Sequence, residues 1–204
     1  LAFVGAGNGF VTKIYDQSAS SRHAYQNNTA KQGLIVESGV LITSNALPAL
    51  KLDGNAFYNL TYPILNNGLV YQTWVFERSA LNGVVALGDG DLGFNSTGLV
   101  FTDGTIGTVL NPIGVGYGVD PTIEHALIAI QHNGTDTEMF INGTSYATEA
   151  DPFVSAVNFT TLFKFAGFIS SDNYQEIIYW RKDKTAERVA IEQNTIDYYK
   201  KKKK

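Results

Sequence analysis

Apolar and polar residues alternate over short stretches of this chain, and clusters of Gly, Asn and Asp interrupt them at close intervals. A period of two places successive side chains on opposite faces of an extended backbone, so the pattern predicts strands and turns. Segments rich in β-branched and aromatic residues predict strands at 9–15, 23–26, 49–52, 56–60, 69–78, 84–87, 99–101, 106–110, 122–131, 137–141, 163–166 and 175–180. In Tyr71-Gln72-Thr73-Trp74-Val75-Phe76-Glu77-Arg78 and in Thr137-Glu138-Met139-Phe140-Ile141, residues of opposite character partly exchange faces with that period. The first of these is mostly apolar, which predicts a central strand.

Asn133-Gly134 and Asn142-Gly143 bracket the 137–141 segment, and Asn-Gly pairs readily supply the positive backbone φ of tight turns. A hairpin is therefore expected across 122–142. One helix is predicted, at the C-terminus. Asp183 or Thr185 can cap it, and Ala186, Val189, Ala190, Ile196 and Tyr199 recur near one face at a 3.6-residue period, so it should pack on the outside of a sheet. No repeat, low-complexity tract or Pro/Ser linker divides the chain, and one domain over 1–199 is the economical reading, with 200–204 as a lysine tail.

Composition narrows the classes. The chain is 44% hydrophobic, 12% aromatic and 17% charged with 20 Gly, which suits a packed, turn-rich core and excludes extensive disorder. Cysteine is absent, which removes disulfides, thiolate metal sites and a cysteine nucleophile together. Lys200 to Lys204 supply five of the 15 Lys and Arg, leaving ten against 19 acidic residues. So acidic a body makes nucleic acid an unfavourable partner. No apolar run reaches the length that spans a bilayer, so membrane insertion is not expected. The fold class expected is all-β, a two-sheet antiparallel jelly-roll sandwich with one C-terminal helix.

Three stretches carry a family likeness. They are residues 1–18, ending in Tyr15-Asp16-Gln17-Ser18, then Leu47-Pro48-Ala49-Leu50-Lys51-Leu52-Asp53-Gly54, then Tyr174-Gln175-Glu176-Ile177-Ile178-Tyr179-Trp180. Together they resemble the concanavalin A-like (laminin G-like) jelly-roll domains of bacteriophage tail-fibre and other virion proteins and of bacterial surface proteins. A similar Tyr-Asp-Gln-Ser signature occurs in the catalytic domain of α-L-arabinofuranosidase B enzymes. The resemblance covers both ends and the first third of the chain. Members of that family usually carry a helix and further chain before the position of Leu1, so a truncated N-terminus is expected. The signature itself reads as architectural: Asp16 and Ser18 are short side chains suited to bonding nearby backbone in a turn, and Tyr15 is expected to end its strand facing the core.

In the enzymes that the chain resembles, a carboxylate nucleophile lies on a central strand and an acid in a loop near the C-terminal strands. The positional matches are Asp91, in Gly88-Asp89-Gly90-Asp91, and Asp172, in Ser170-Ser171-Asp172-Asn173. Retaining glycosidases hold two such carboxyl groups about 5 to 5.5 Å apart. Here the expected glutamate nucleophile is missing and the surrounding residues differ, so an exposed Asp in a Gly-rich turn is the simpler reading of Asp91. Asp89 and Asp91 could also ligate Ca²⁺, which takes several oxygen ligands, although the full spacing of a calcium loop is absent. His23, His125 and His132 lie on different elements without a paired-ligand spacing, which argues against zinc, and no nucleophile-elbow or phosphate-loop motif occurs.

Eleven Tyr, 12 Phe and 2 Trp form the better signal, since exposed aromatic rings are natural platforms for sugars. Tyr117, in the loop-like Gly114 to Asp120 stretch, and Tyr174, beside Asp172 and Asn173, are the candidate ligand contacts; Trp74 and Trp180, on strands, are expected in the core. Sequons at Asn27, Asn59, Asn95, Asn133, Asn142 and Asn158 exceed what composition alone predicts. They would be glycosylation sites in a eukaryotic host and otherwise mark Asn- and Thr-rich turns.

The function expected is a non-catalytic attachment module of a virion or extracellular surface protein, binding a glycan through rim loops. The partner is a cell-surface glycan or a neighbouring virion or surface protein, and analogy with fibre proteins points to a homo-oligomer, a trimer. A structural fibre module without a small ligand and a hydrolase using Asp91 and Asp172 are the alternatives.

Overall fold

The computed structural model describes residues 4–66, 69–77, 84–88, 96–102, 105–110, 113–119, 125–150, 157–165 and 168–200. The first quarter is cut into short strands, β1 (Gly9–Phe10), β2 (Lys13–Ile14), β3 (Ala24–Tyr25), β4 (Leu34–Glu37), β5 (Val40–Leu41), β6 (Thr43–Ser44), β7 (Leu47–Pro48) and β8 (Leu50–Lys51). Longer strands follow: β9 (Tyr58–Asn66), β10 (Val70–Glu77), β11 (Val84–Gly88), β12 (Ser96–Thr102), β13 (Thr105–Leu110), β14 (Ile113–Val119), β15 (His125–His132), β16 (Asp136–Ile141) and β17 (Thr144–Ala150). The chain ends with β18 (Val157–Leu162), β19 (Lys164–Phe165), β20 (Phe168–Ile169), β21 (Asn173–Trp180) and the helix α1 (Arg188–Lys200).

Two antiparallel sheets form the jelly-roll sandwich. One runs β1-β4-β8-β21-β10-β15-β16-β17, and the other runs β14-β13-β12-β11-β18-β9-β3-β2. The first places β10 between β21 and β15, so Trp74 pairs with Ile177 on one side and Ile128 on the other. Alternation then sorts the residues by face. Trp74, Phe76, Ile128, Ile130 and Met139 point between the sheets and meet Tyr58, Phe159 and Leu162 from the second sheet. Tyr71, Val75, Leu127 and Phe140 point the other way, toward the helix side. Both faces of β10 are thereby covered, which accounts for a mostly apolar strand that is buried along nearly its whole length.

The expected hairpin is present: β15 and β16 pair from Ile128↔Ile141 to His132↔Thr137. Its neighbour turn, between β16 and β17, has Asn142 and Gly143 at φ +50° and +86°, both left-handed, which matches the twist of a two-residue hairpin. Asn142 also accepts a bond from the Leu127 N–H through Oδ1 at 3.0 Å.

The helix packs on the outer face of the first sheet, as expected, and Ile196 and Tyr199 of the predicted apolar face are buried there, but the inward face is rotated away from Ala186, Val189 and Ala190. Ile191, Glu192, Thr195, Ile196 and Tyr199 turn toward the sheet, while Val189 is 65% exposed and Ala186 and Ala190 lie outside. The sheet offers the Tyr71 hydroxyl to Glu192 Oε1 at 2.9 Å, and Arg188 bonds Glu192 Oε2 at 2.8 Å while its guanidinium lies 3.7 Å over the Phe140 ring. A charged hydrogen-bonded group thus sets the rotation of the helix that apolar periodicity alone misplaces. Among the described residues no helix is long and apolar enough to cross a membrane.

Candidate functional site

Residues 15–22 join β2 to β3 at the edge of the second sheet, and their shape follows from one carboxylate. Asp16 accepts the Ser18 N–H on Oδ1 and the Arg22 N–H on Oδ2, each at 2.8 Å, so it clamps both ends of the turn. Its own N–H donates to His23 Nδ1 at 3.1 Å, and Ser18 Oγ accepts the Ser20 N–H at 3.1 Å. Partial burial works to raise the Asp16 carboxyl, but the N–H groups of Ser18 and Arg22, the Ser18 hydroxyl and His23 outweigh it and hold the group below its ordinary range. Asp16 and Ser18 have the turn-forming role expected from their residue types.

Tyr15 does not face the core. It is 61% exposed, because the clamp turns the chain outward immediately after β2. Its ring is nonetheless held: His23 meets it edge-on at 5.3 Å and the Lys13 ammonium lies 4.6 Å from its centroid. Arg22 is fixed by its Nε, which donates to the Pro63 carbonyl at 3.3 Å.

This turn forms one bank of a cleft of about 1090 Å³ whose opposite bank is β21. The cleft exists because β8 pairs with β21 only at Asn173 and Tyr174, so residues 175–180 keep one edge unpaired by β8. On that edge alternate peptide groups point away from β10. Ile14, Leu60, Ile64, Leu162 and Ile177 give the cleft apolar walls, while Tyr15, Ser18, Ser20, Arg22, Arg181 and Lys182 contribute polar groups. Tyr179 borders it, with its ring edge-on to Phe159 of the second sheet, and the Tyr179 hydroxyl is shielded from solvent without a hydrogen-bond partner among the described residues, as is the side-chain amide of Gln72, its register neighbour on β10. Burial pushes the Tyr179 hydroxyl up, against the pull of Arg181, so it remains a donor.

Of the ligand contacts expected from sequence at the C-terminal end, Tyr174 borders this cleft, whereas Asp172 and Asn173 are not among its lining residues. Asp172 is 0% exposed and Tyr174 4%, so the rim expected at Asp172, Asn173 and Tyr174 is a buried seam flanking a half-buried Asn173. Ser170 Oγ lies 2.7 Å from the Tyr174 hydroxyl and donates to Asp172 Oδ2 at 3.4 Å. The Tyr174 ring sits 4.6 Å from Phe163 and stacks on Phe76 at 5.8 Å, inside the core. Burial, then the neighbouring Asp172 charge, push its hydroxyl well above the ordinary tyrosine range, partly offset by Ser170. Backbone bonds from Leu52 to Asp172 and from Gly54 to Ser170 fasten the segment after β8 to this seam. The sequence reading missed this because Ser-Ser-Asp-Asn looks like a solvated turn, and only the packing of Leu52 and Gly54 over it shows otherwise.

Tyr117 lies on β14 rather than in a loop, since Gly107↔Gly116 and Thr105↔Val119 pair it with β13. Asp89, Asp91 and Asn95 lie outside the described residues, and with them the calcium and nucleophile candidates. Asn27, Asn133 and Asn142 are exposed, Asn59 is half-buried on β9 between β3 and β18, and Asn158 lies on β18. His132 is buried and its Nδ1 accepts the Gly134 N–H at 3.2 Å; His125 and His132, expected on different elements, are the two ends of the single strand β15. Trp180 packs against Tyr71 at 5.2 Å on the helix side of the sheet.

No protein-family model matches this sequence, and no curated protein matches it. Solved structures do resemble it in fold. A GH54 α-L-arabinofuranosidase soaked with a cyclic sulfate inhibitor superposes with a TM-score of 0.68 at 13% identity, over 96% of this chain and 52% of that one. The binding domain of Paraclostridial Mosquitocidal Protein 1 gives 0.57 at 12% identity, over 95% and 52%. The CBM40 of the Ruminococcus gnavus IT-sialidase, bound to α2,3 sialyllactose, gives 0.50 at 13% identity, over 70% and 95%. The chain therefore spans about half the length of the first two, and at these identities the likeness establishes a shared β-sandwich fold.

Proposed function

We propose that this chain is a glycan-binding module, that the cleft beside Tyr15 holds the sugar, and that the module serves attachment at an extracellular or virion surface without catalysis. The observation that carries the reading is the Tyr15 ring, exposed at the mouth of a cleft of about 1090 Å³ and held in place by His23 and Lys13. A fixed aromatic face beside hydrogen-bonding groups is what the alternately apolar and hydroxylated surface of a sugar ring requires. The sandwich neighbours support it, since one was solved as a CBM40 bound to α2,3 sialyllactose and another as the binding domain of a mosquitocidal protein. Residues 1–199 act as one domain in this reading, and limited proteolysis that leaves a single resistant core would agree with it.

A hydrolase is the second reading, favoured by the likeness to the arabinofuranosidase. Against it, the Asp172 carboxyl has no exposure through which to protonate a leaving group. A glycan array run with and without Ca²⁺, followed by product analysis of each bound sugar, decides between them. Saturable binding without cleavage that Tyr15→Ala weakens supports the attachment reading, cleavage overturns its non-catalytic part, and loss of binding on chelation would bring in Asp89 and Asp91. No binding at all overturns the glycan reading and leaves a structural module.

A further inference from the structure

We infer that the sugar this cleft takes is an acidic one, a ring carrying a carboxylate or sulfate that Arg22, Arg181 and Lys182 meet; the inference rests on the glycan-binding reading of the same cleft. Outside the lysine run the chain has ten basic residues against 19 acidic ones. Half of those ten, Lys13, Arg22, Arg181, Lys182 and Lys184, line this one cleft, whereas among the acids of the described residues Asp16 and Glu176 do. Both acids are already engaged. Asp16 holds the Ser18 and Arg22 amides, and Glu176 accepts a bond from the Tyr199 hydroxyl of the helix.

The cations divide into two sets. Lys184 is paired with Glu187 at 3.3 Å, and Lys13 lies over the Tyr15 ring. Arg22 uses Nε on the Pro63 carbonyl, which leaves its terminal nitrogens without a partner among the described residues. Arg181 and Lys182 are exposed and make no ion pair there.

Gathering like charges in a cleft of an otherwise acidic body costs repulsion, which an anion relieves, and the same field draws anions in. A neutral sugar needs no such field. A free inorganic anion would use the charges but leave the Tyr15 face and the walls at Ile14, Leu60 and Ile177 bare. A sugar ring bearing an oxyanion covers both kinds of surface.

The test uses the whole chain and matched oligosaccharides: a uronic-acid-containing member, a sulfated member and the neutral parent of each, titrated calorimetrically at low and high salt. The acidic members are expected to bind about tenfold or more tighter than their neutral parents. That advantage should shrink as NaCl rises from roughly 0.05 to 0.5 M. Arg22→Gln should bring the acidic members toward the affinity of the neutral ones, and Lys182→Gln, at an exposed side chain, repeats the test should Arg22→Gln impair folding. Tyr15→Ala should weaken acidic and neutral members alike. Neutral parents binding as tightly as their acidic partners, or both glutamine variants binding acidic sugars as the parent does, would overturn the inference and leave the glycan reading standing. Failure of every sugar to bind would overturn that reading as well.

Discussion

Replacing Glu192 by alanine removes the acceptor around which the helix is docked. Glu192 is 1% exposed and receives the Tyr71 hydroxyl at 2.9 Å and Arg188 at 2.8 Å. In Glu192→Ala the Tyr71 hydroxyl, on a side chain with 0% exposure, loses its acceptor, a loss of about 1–3 kcal/mol. Arg188 also loses its anion, but its side chain is 19% exposed and can rehydrate, so the about 3–5 kcal/mol typical of breaking a fully buried pair is an upper bound here. The two effects place the total near about 3 kcal/mol, which for a chain of 204 residues lowers Tm by about 6–12 °C. Tyr71→Phe removes the hydroxyl alone and should cost about 1 kcal/mol, and because both changes delete one contact the double variant should cost less than their sum. Urea unfolding with unchanged m value measures all three. If Glu192→Ala unfolds within about 0.5 kcal/mol of the parent, Glu192 does not dock the helix, and the account of why Val189 rather than Glu192 faces solvent is wrong.

Tyr174→Phe should lower stability by about 1 kcal/mol through the lost contact with Ser170, yet leave sugar affinity unchanged, because Tyr174 is only 4% exposed where it borders the cleft; reduced affinity in calorimetry would make its hydroxyl a sugar contact. Gly143→Val should cost about 1–2 kcal/mol, because φ +86° is strained for any L side chain while the nearest atom to an added Cβ, Ile196 Cδ1 at 3.4 Å, is no clash; equal unfolding midpoints would contradict the left-handed turn. The lowered Asp16 carboxyl stabilises the folded turn at pH values above its unfolded-state value of about 3.9, and that contribution is lost as pH falls through the still lower folded value. The Ser18 and Arg22 amide resonances should therefore hold their positions at pH 5 and move only below about pH 3.9, and a midpoint above that value would rule out the clamp.

The strand pattern, the Asn-Gly turns and the terminal helix were legible along the chain because each depends on neighbours within a few residues. Alternation at 71–78 marks β10 wherever that strand is placed, and Asn142-Gly143 favours a left-handed turn whatever it joins. Even here the short strands β4 to β7 and β20 and the longer β14, β17 and β18 escaped: two to four residues are too few to show a period, and the Gly-rich β14 and Thr-containing β17 and β18 carry too little alternation to separate a strand from a loop.

The candidate site was not legible in the same way. Tyr15 and Trp180 stand far apart in sequence and share a cleft only because β21 is inserted between β8 and β10, and because β8 stops after pairing with Tyr174. Asp172 reads as a solvated turn residue until Leu52 and Gly54 bond across it. Val189 reads as a core residue of the helix until Tyr71 and Arg188 engage Glu192 instead. Composition, periodicity and turn chemistry are local, and they determined the class of fold, the main strands and the turn-forming role of Asp16. Exposure, the choice of helix face and the gathering of Lys13, Arg22, Arg181 and Lys182 around one cleft depend on contacts between residues distant in sequence, and only the tertiary structure decided them.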